Sequence, residues 1–431
     1  MKRLYRLKIL SQDYSTAEKG EVWIDDEGRI ALCGTPTSPA PAFDEEIDCA
    51  GGLVLPGLKN AHTHSAMTFL RSRADDLPLD RWLSEAILPR ERYLTDEAVY
   101  WLTKLAILEY VSGGTTAAFD MYFHTDAYVD ACRSAGFRSV LTGSAVSAEK
   151  TPLKTAYDLY KDYNHEGDRL ITGFFGLHSE YATTPELVKE FAEVARAEKI
   201  PVYMHLSETK KEQEECIARH GKTPTEYFLD LGLWDYGGGG YHCTHLTDGD
   251  IRLFREHSLY AVTCPAANLK LASGIAPLYE MLEAGVKVAI GTDGPAGNNA
   301  LDMFREMYLA STLQKARTGK AEAVQPDAIL RAATSTGADA MGLPDCNSLA
   351  VGKWADLTVL DLDMPNLRPH ADYAKAAVYS AGKQNVKLTM VAGKTLYRDG
   401  NYYIGEDAET ICKNAEKQAD LLEQAFLEGK L

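Results

Sequence analysis

The sequence has no apolar run approaching the roughly 18 unbroken residues of a membrane-crossing helix, so it offers no candidate span. Its opening stretch, Met1 to Leu10, interrupts apolar residues with charge; it lacks the continuous apolar core of a signal peptide and reads as an amphipathic strand. The eight cysteines are scattered, with no Cys-x-x-Cys pair, which argues against both a disulfide framework and a thiolate metal site. Reduced thiols and a cytoplasmic location are the expectation. Positive charge is in deficit, 45 Lys and Arg against 62 Asp and Glu, and the formal charge of −17 opposes binding to nucleic acid or anionic membranes. The partner is expected to be a small molecule. The His-x-Glu and Pro-Cys-x-x-Cys signature of the zinc deaminases that edit nucleic-acid bases is missing as well. No internal repeat or low-complexity tract interrupts the chain.

What is present is a succession of short apolar runs. At 431 residues the chain suits an α/β barrel of about 250 residues with a smaller companion. Residues 1–55 alternate short apolar segments with Asp-Glu-Gly and Pro-rich turns, a strand-and-turn pattern. Eight runs follow, at 53–62, 115–122, 138–143, 170–178, 202–206, 241–245, 260–264 and 286–293, separated by helical patterns. They predict an α/β fold, a (β/α)8 TIM-like barrel over 56–344. The glycines Gly237 to Gly240 read as a loop ahead of the sixth strand, and 326–341 as helical. Strands return over 355–361 and 386–394, so 1–55 and 345–405 are expected to pair into a small composite β-sandwich. The end, 406–431, places Ile411, Ala415, Leu422 and Phe426 at helical spacing and predicts an amphipathic packing helix.

The runs end in metal-binding side chains. His62 and His64 close the first; as residues i and i+2 of a strand they face the same side and can share one ion. His205, His242 and Asp293 end later runs, and in a barrel all strand C-termini meet at one rim. Imidazoles and a carboxylate suit a borderline divalent ion, zinc first, with Fe2+ or Mn2+ as alternatives. The expected ligands are His62, His64, His205 and Asp293. Strand four ends in Gly176-Leu177-His178-Ser179 without a lysine that could bridge a second ion, so one metal is expected. Such an ion lowers the pKa of its water towards about 7. Glu208, three residues beyond His205, is the candidate to pass a proton from water to a ring nitrogen of the substrate. His242 is placed to orient or deprotonate that water, with Asp293 beside it, while His245 has the opposite strand parity and is as well explained by structure. His124, His165, His220, His257 and His370 lie in polar or helical contexts and read as surface residues.

Pro56-Gly57 through His62-Thr63-His64, His205-Leu206-Ser207-Glu208, His242-Cys243-Thr244-His245 and Gly291-Thr292-Asp293-Gly294, in that order, resemble the amidohydrolase superfamily over nearly the whole chain. The nearer likeness is to the methylthioadenosine/S-adenosylhomocysteine deaminases. It rests on Met67-Thr68-Phe69-Leu70-Arg71, Phe119-Asp120-Met121-Tyr122, Asn268 to Pro277 and Asn298-Asn299. The resemblance implies one zinc and hydrolysis of the amino group of adenine nucleosides to inosine-type products and ammonia. It also implies a homo-oligomer, a ribose-hydroxyl acceptor at Glu91 and a substrate-pocket role for His178. Without it, Glu91 in Pro89-Arg90-Glu91-Arg92 reads as a helix-surface charge.

Two departures bear on the substrate. Relatives that accept S-adenosylhomocysteine tend to carry an arginine after strand three to pair its carboxylate, whereas this chain reads Leu141-Thr142-Gly143-Ser144. Lys150 or Lys154 would substitute only as flexible point charges. Gly297 stands where relatives often have serine. Both favour a small or neutral 5′ group, as in methylthioadenosine, 5′-deoxyadenosine or adenosine. The alternative keeps the chemistry and changes the ring to guanine, an oxidised purine, pterin, cytosine or triazine. Cyclic-amide hydrolysis is disfavoured by the missing strand-four lysine, and a non-enzymatic metal-stabilised sensor by the retention of every ligand and Glu208.

Overall fold

The computed structural model describes residues 1–37, 39–164 and 168–429. Eight parallel strands form a barrel in sequence order: Leu58–Thr63, Thr115–Asp120, Arg138–Thr142, Ile171–Gly176, Val202–Leu206, Gly238–His242, Tyr260–Thr263 and Lys287–Ile290. The seam between the last and first strands is carried by the His62 carbonyl, which accepts the N–H groups of Thr292 at 3.1 Å and Asp293 at 3.0 Å. The interior is filled by rings rather than left as a pore. Phe119 and Tyr203 pack 5.0 Å apart, centroid to centroid, each lies within 6 Å of both Phe174 and Tyr241, and the Tyr203 hydroxyl donates to Ala340 O at 2.6 Å.

A second, nine-stranded sheet draws strands from both ends of the chain. Leu53–Pro56 is its junction, parallel to Lys2–Leu10 on one side and antiparallel to Leu357–Leu360 on the other. A buried ion pair joins this sheet to the barrel. The Arg138 guanidinium, on barrel strand three, donates to both Asp356 oxygens at 2.7 and 3.0 Å, and Asp356 also accepts the Ala392 N–H at 2.8 Å. Helix Ala408–Glu428 buries Ile411, Ala415 and Leu422, and Phe426 carries the Arg90 guanidinium 4.0 Å from its ring centre. Among the described residues no helix is long and apolar enough to cross a membrane.

Three sequence expectations about the elements need correction. The run 53–62 is two strands, because at Gly57 the chain leaves the outer sheet for the barrel and passes so near Thr116 that a Cβ would lie 2.1 Å from its methyl group. Of the glycines expected as a loop, Gly238 to Gly240 are the sixth strand itself and Gly237 precedes it. A Cβ on Gly238 would stand 1.9 Å from Val202 O and one on Gly239 2.1 Å from Tyr260 O, so only glycine allows both neighbouring strands to approach. The helical stretch after 326 is two helices, Pro326–Ala333 and Ser335–Ala340, broken at Thr334, whose backbone leaves the helical region at φ −132°, ψ −88°.

Candidate metal centre and catalytic cleft

At the C-terminal rim of the barrel, His62, His64, His205, His242 and Asp293 come together from strands one, five, six and eight. Ligand atoms of His62, His64 and His205 lie within 4.8 Å of one another, and those of His62, His242 and Asp293 do the same. The Asp293 carboxylate is 3.3 Å from His64 Nε2 and 3.8 Å from His62 Nε2. His242 lies in the second of these groups, and its Nε2 is 3.9 Å from the Glu208 carboxylate.

The rings are oriented from behind. His64 Nδ1 contacts Met121 O at 2.5 Å, His205 Nδ1 contacts His178 O at 2.9 Å, and His242 Nδ1 contacts Asn268 Oδ1 at 2.8 Å. Oxygen acceptors at all three Nδ1 atoms hold the hydrogen there and leave Nε2 unprotonated for a cation. His62 stacks on Tyr241 at 3.9 Å between ring centres and is fully buried, with neither ring nitrogen hydrogen-bonded. An orphaned buried imidazole is costly unless a ligand satisfies it, and a divalent cation does so. The residues present thus fit a divalent metal.

The electrostatics agree. Burial, reinforced by the neighbouring imidazoles, pulls His62 and His205 well below the ordinary histidine range, which keeps them neutral as ligands must be. Burial likewise pushes Glu208 above the usual carboxylate range. Burial opposes charge on His242 too, but the Glu208 and Asp293 carboxylates and Asn268 together hold its pKa above the ordinary value. The backbone here is strained: Ser207, His242, Cys243 and Asp293 all have φ between 48° and 69°. Left-handed conformations in non-glycine residues cost roughly 1–3 kcal/mol each and concentrate at functional sites.

The cluster opens into a cavity of about 280 Å3 walled mainly by apolar side chains such as Met67, Trp82, Ile87 and Leu271. Glu208, His242 and Asp293 line it too. Glu91 and His178 also line it, so Glu91 is not the surface charge its local sequence suggests; it accepts a hydrogen bond from the Tyr122 hydroxyl at 2.7 Å. His178 is pushed down to about 4 by burial and by His64. No lysine or arginine lines the cavity. Lys150 and Lys154 are exposed and outside it, and Lys154 pairs with Asp158 on its own helix. Gly297 runs against the metal site, where a Cβ would be 2.9 Å from Asp293 Oδ2.

The other histidines divide. His245 Nε2 contacts Ser273 O at 2.6 Å and does not line the cavity, so it is structural. His124, His257 and His370 are exposed as expected. His220 is a correction: it is half-buried, 4.1 Å over the Tyr227 ring, with Nε2 3.1 Å from Glu180. His165 lies outside the described residues. Sequence reasoning missed Tyr122 and Glu212. Glu212 stands three residues after Thr209 and has the spacing of an ordinary capping box, yet its carboxylate reaches further back, to the Ser207 and Glu208 N–H groups.

A parallel barrel with histidines and an aspartate at its C-terminal rim defines a metal-dependent hydrolase architecture. The Amidohydrolase family matches residues 53–396, and the chain belongs to it. It is 39% identical over 424 residues to the 5-methylthioadenosine/S-adenosylhomocysteine deaminase of Halobacterium salinarum, covering 97% of each chain. It is 37% identical over 400 residues to the 5′-deoxyadenosine deaminase of Methanothermobacter thermautotrophicus, covering 92% of this chain and 93% of that one. Among solved structures, an adenosine deaminase from Xanthomonas campestris with bound zinc superimposes with a TM-score of 0.91 at 32% identity, covering 98% of both chains.

Proposed function

We propose that the protein is a zinc-dependent hydrolytic deaminase of adenine nucleosides whose 5′ substituent is small and carries no negative charge. The observation that carries this reading is the apposition of Glu208 and His242, 3.9 Å apart, in the wall of a mainly apolar, ring-sized cleft. His62, His64, His205 and Asp293 would hold the ion, with His242 next to it. A zinc ion there supplies Lewis acidity, which makes water a competent nucleophile near neutral pH.

The chain's own residues divide the remaining work. Glu208, buried beside His242 and with a pKa that burial raises, is the group placed to carry a proton. It delivers that proton to the ring nitrogen next to the amino-bearing carbon as water adds to the carbon. A second proton from water goes to the departing amino group, which leaves as ammonia while the ring carbon keeps the oxygen. His242, held by Asn268, keeps the attacking water on the correct face and stabilises the tetrahedral adduct. Asp293 accepts a proton from water beside His64. Glu91, oriented by Tyr122, accepts hydrogen bonds from ribose hydroxyls, which favours a nucleoside over a free base. His178, neutral because of its depressed pKa, offers a hydrogen-bonding edge to the purine. The eight free thiols, most of them buried, suit the cytoplasm.

The test is ammonia release, with the ultraviolet change from adenine to hypoxanthine, by metal-assayed protein. The panel is 5′-methylthioadenosine, 5′-deoxyadenosine, adenosine, S-adenosylhomocysteine, guanine and cytosine. Turnover of the neutral adenine nucleosides with weak turnover of S-adenosylhomocysteine is expected. Turnover of a free base with none of the nucleosides would transfer the assignment to another ring.

A further inference from the structure

Four residues of the main cavity, Tyr122, Phe123, Ser144 and Glu149, also line a second cavity of about 160 Å3. None of the five metal-cluster residues does. The two spaces therefore share a wall formed by Tyr122, Phe123, Ser144 and Glu149, outside the metal cluster itself. The second space is bounded by the loops after barrel strands two and three and by the helix Pro152–Tyr163. A nucleoside with its ring at Glu208 and its ribose at Glu91 directs its 5′ substituent to this junction.

His124, which also lines the second cavity, is engaged by Asp96 at 2.6 Å, which leaves Glu149 as the carboxylate facing the junction. Glu149 is the carboxylate common to both cavities, and no lysine or arginine lines either one. Among the described residues no cationic side chain forms an ion pair with Glu149. Half-buried, it sits where burial raises its pKa above the usual range, and a positive neighbour would reverse that. A carboxylate arriving at this junction meets a like charge with no counter-ion to offset it; an ammonium meets an unpaired opposite charge.

We infer that Glu149 sets the charge preference for the substrate's 5′ substituent: it admits neutral groups, draws in a primary amine and turns away a carboxylate. This rests on the deaminase reading and extends it to adenine nucleosides with aminoalkyl 5′ substituents. Electrostatic discrimination of this kind comes as much from the repulsive element as from the attractive one.

The experiment compares kcat/KM for three thioether nucleosides of matched length: 5′-propylthio-, 5′-(3-aminopropylthio)- and 5′-(2-carboxyethylthio)adenosine. The wild type, Glu149→Gln and Glu149→Arg are each assayed with metal bound. In the wild type the amine should exceed the carboxylate by at least about tenfold, the scale of one charge contact at a partly screened site. The ratio should approach one in Glu149→Gln and invert in Glu149→Arg. An amine-to-carboxylate ratio that stays the same in both variants, or a parallel fall for all three substrates, would overturn the inference while leaving the deaminase reading in place. Failure of the wild type to turn over even the neutral propylthio compound would overturn the deaminase reading, and this inference with it.

Discussion

The carboxylate of Glu212 accepts the backbone N–H of Glu208 at 2.8 Å with one oxygen, and the N–H of Ser207 at 2.9 Å with the other. One buried side chain thus fixes the turn that leads from the candidate ligand His205 to the candidate proton carrier. Ser207 needs that support, since its φ of 48° is a left-handed conformation that serine rarely adopts. Burial pushes Glu212 up to about 8, the expected consequence of holding a carboxyl group away from water.

Removing this brace should therefore reach catalysis without reaching the metal. Glu212→Ala leaves two buried N–H groups unpaired, at about 1–3 kcal/mol each, and is expected to lower kcat by at least roughly tenfold with metal content unchanged. Glu212→Gln keeps one acceptor and should fall between the alanine variant and the wild type. Metal analysis with steady-state kinetics checks it, and a kcat untouched by the alanine substitution would remove Glu212 from the account.

Glu208 is not one of the expected ligands; its carboxylate lies 3.9 Å from His242 Nε2. Glu208→Gln should accordingly bind metal normally and lower turnover by at least about a hundredfold, the scale of an acid/base residue. Turnover within a few fold of wild type would assign the proton transfer elsewhere.

The Arg138–Asp356 pair predicts a pH-dependent stability. Asp356 is fully buried; burial alone would raise its pKa, but Arg138, Lys59 and the Ala392 N–H overcome that and hold it below the usual carboxylate value. A carboxylate with a depressed folded-state pKa stabilises the fold above its unfolded pKa of about 3.9, and that contribution is lost as pH falls through the folded value. Asp356→Asn should therefore cost roughly 3–5 kcal/mol at neutral pH, because it strands Arg138, and the gap to wild type should narrow below about pH 4. Denaturant unfolding at several pH values measures this, and a gap that does not change with pH would contradict it.

The sequence revealed the site better than the scaffold around it. A strand periodicity of two puts His62 and His64 on one side, and the barrel geometry carries His205, His242 and Asp293 to the same rim, so the cluster follows from spacing and one fold rule. The residues that orient it do not. Asn268 acts through an amide oxygen from the helix Pro265–Lys270 and Met121 through a backbone carbonyl just past strand Thr115–Asp120, contacts with no local periodicity. Glu91 looks like a surface charge because its neighbours are Arg90 and Arg92; in the fold Arg90 packs on Phe426 and Glu423 while Glu91 meets Tyr122, contacts to partners distant in sequence. The glycine strand was hidden for a similar reason. Glycine lowers strand propensity locally, while the close approach of Val202 and Tyr260 that requires it is a tertiary fact.

The most direct test of the account is the fate of water oxygen. Metal-loaded protein is incubated with 5′-methylthioadenosine in 18O-enriched water, and the product is examined by mass spectrometry while ammonia is counted. One 18O in the purine ring of each product molecule, with one ammonia released per nucleoside and the glycosidic bond intact, is the predicted result. Loss of the nucleoside without ring 18O, or with release of free adenine, would contradict hydrolytic deamination at this site.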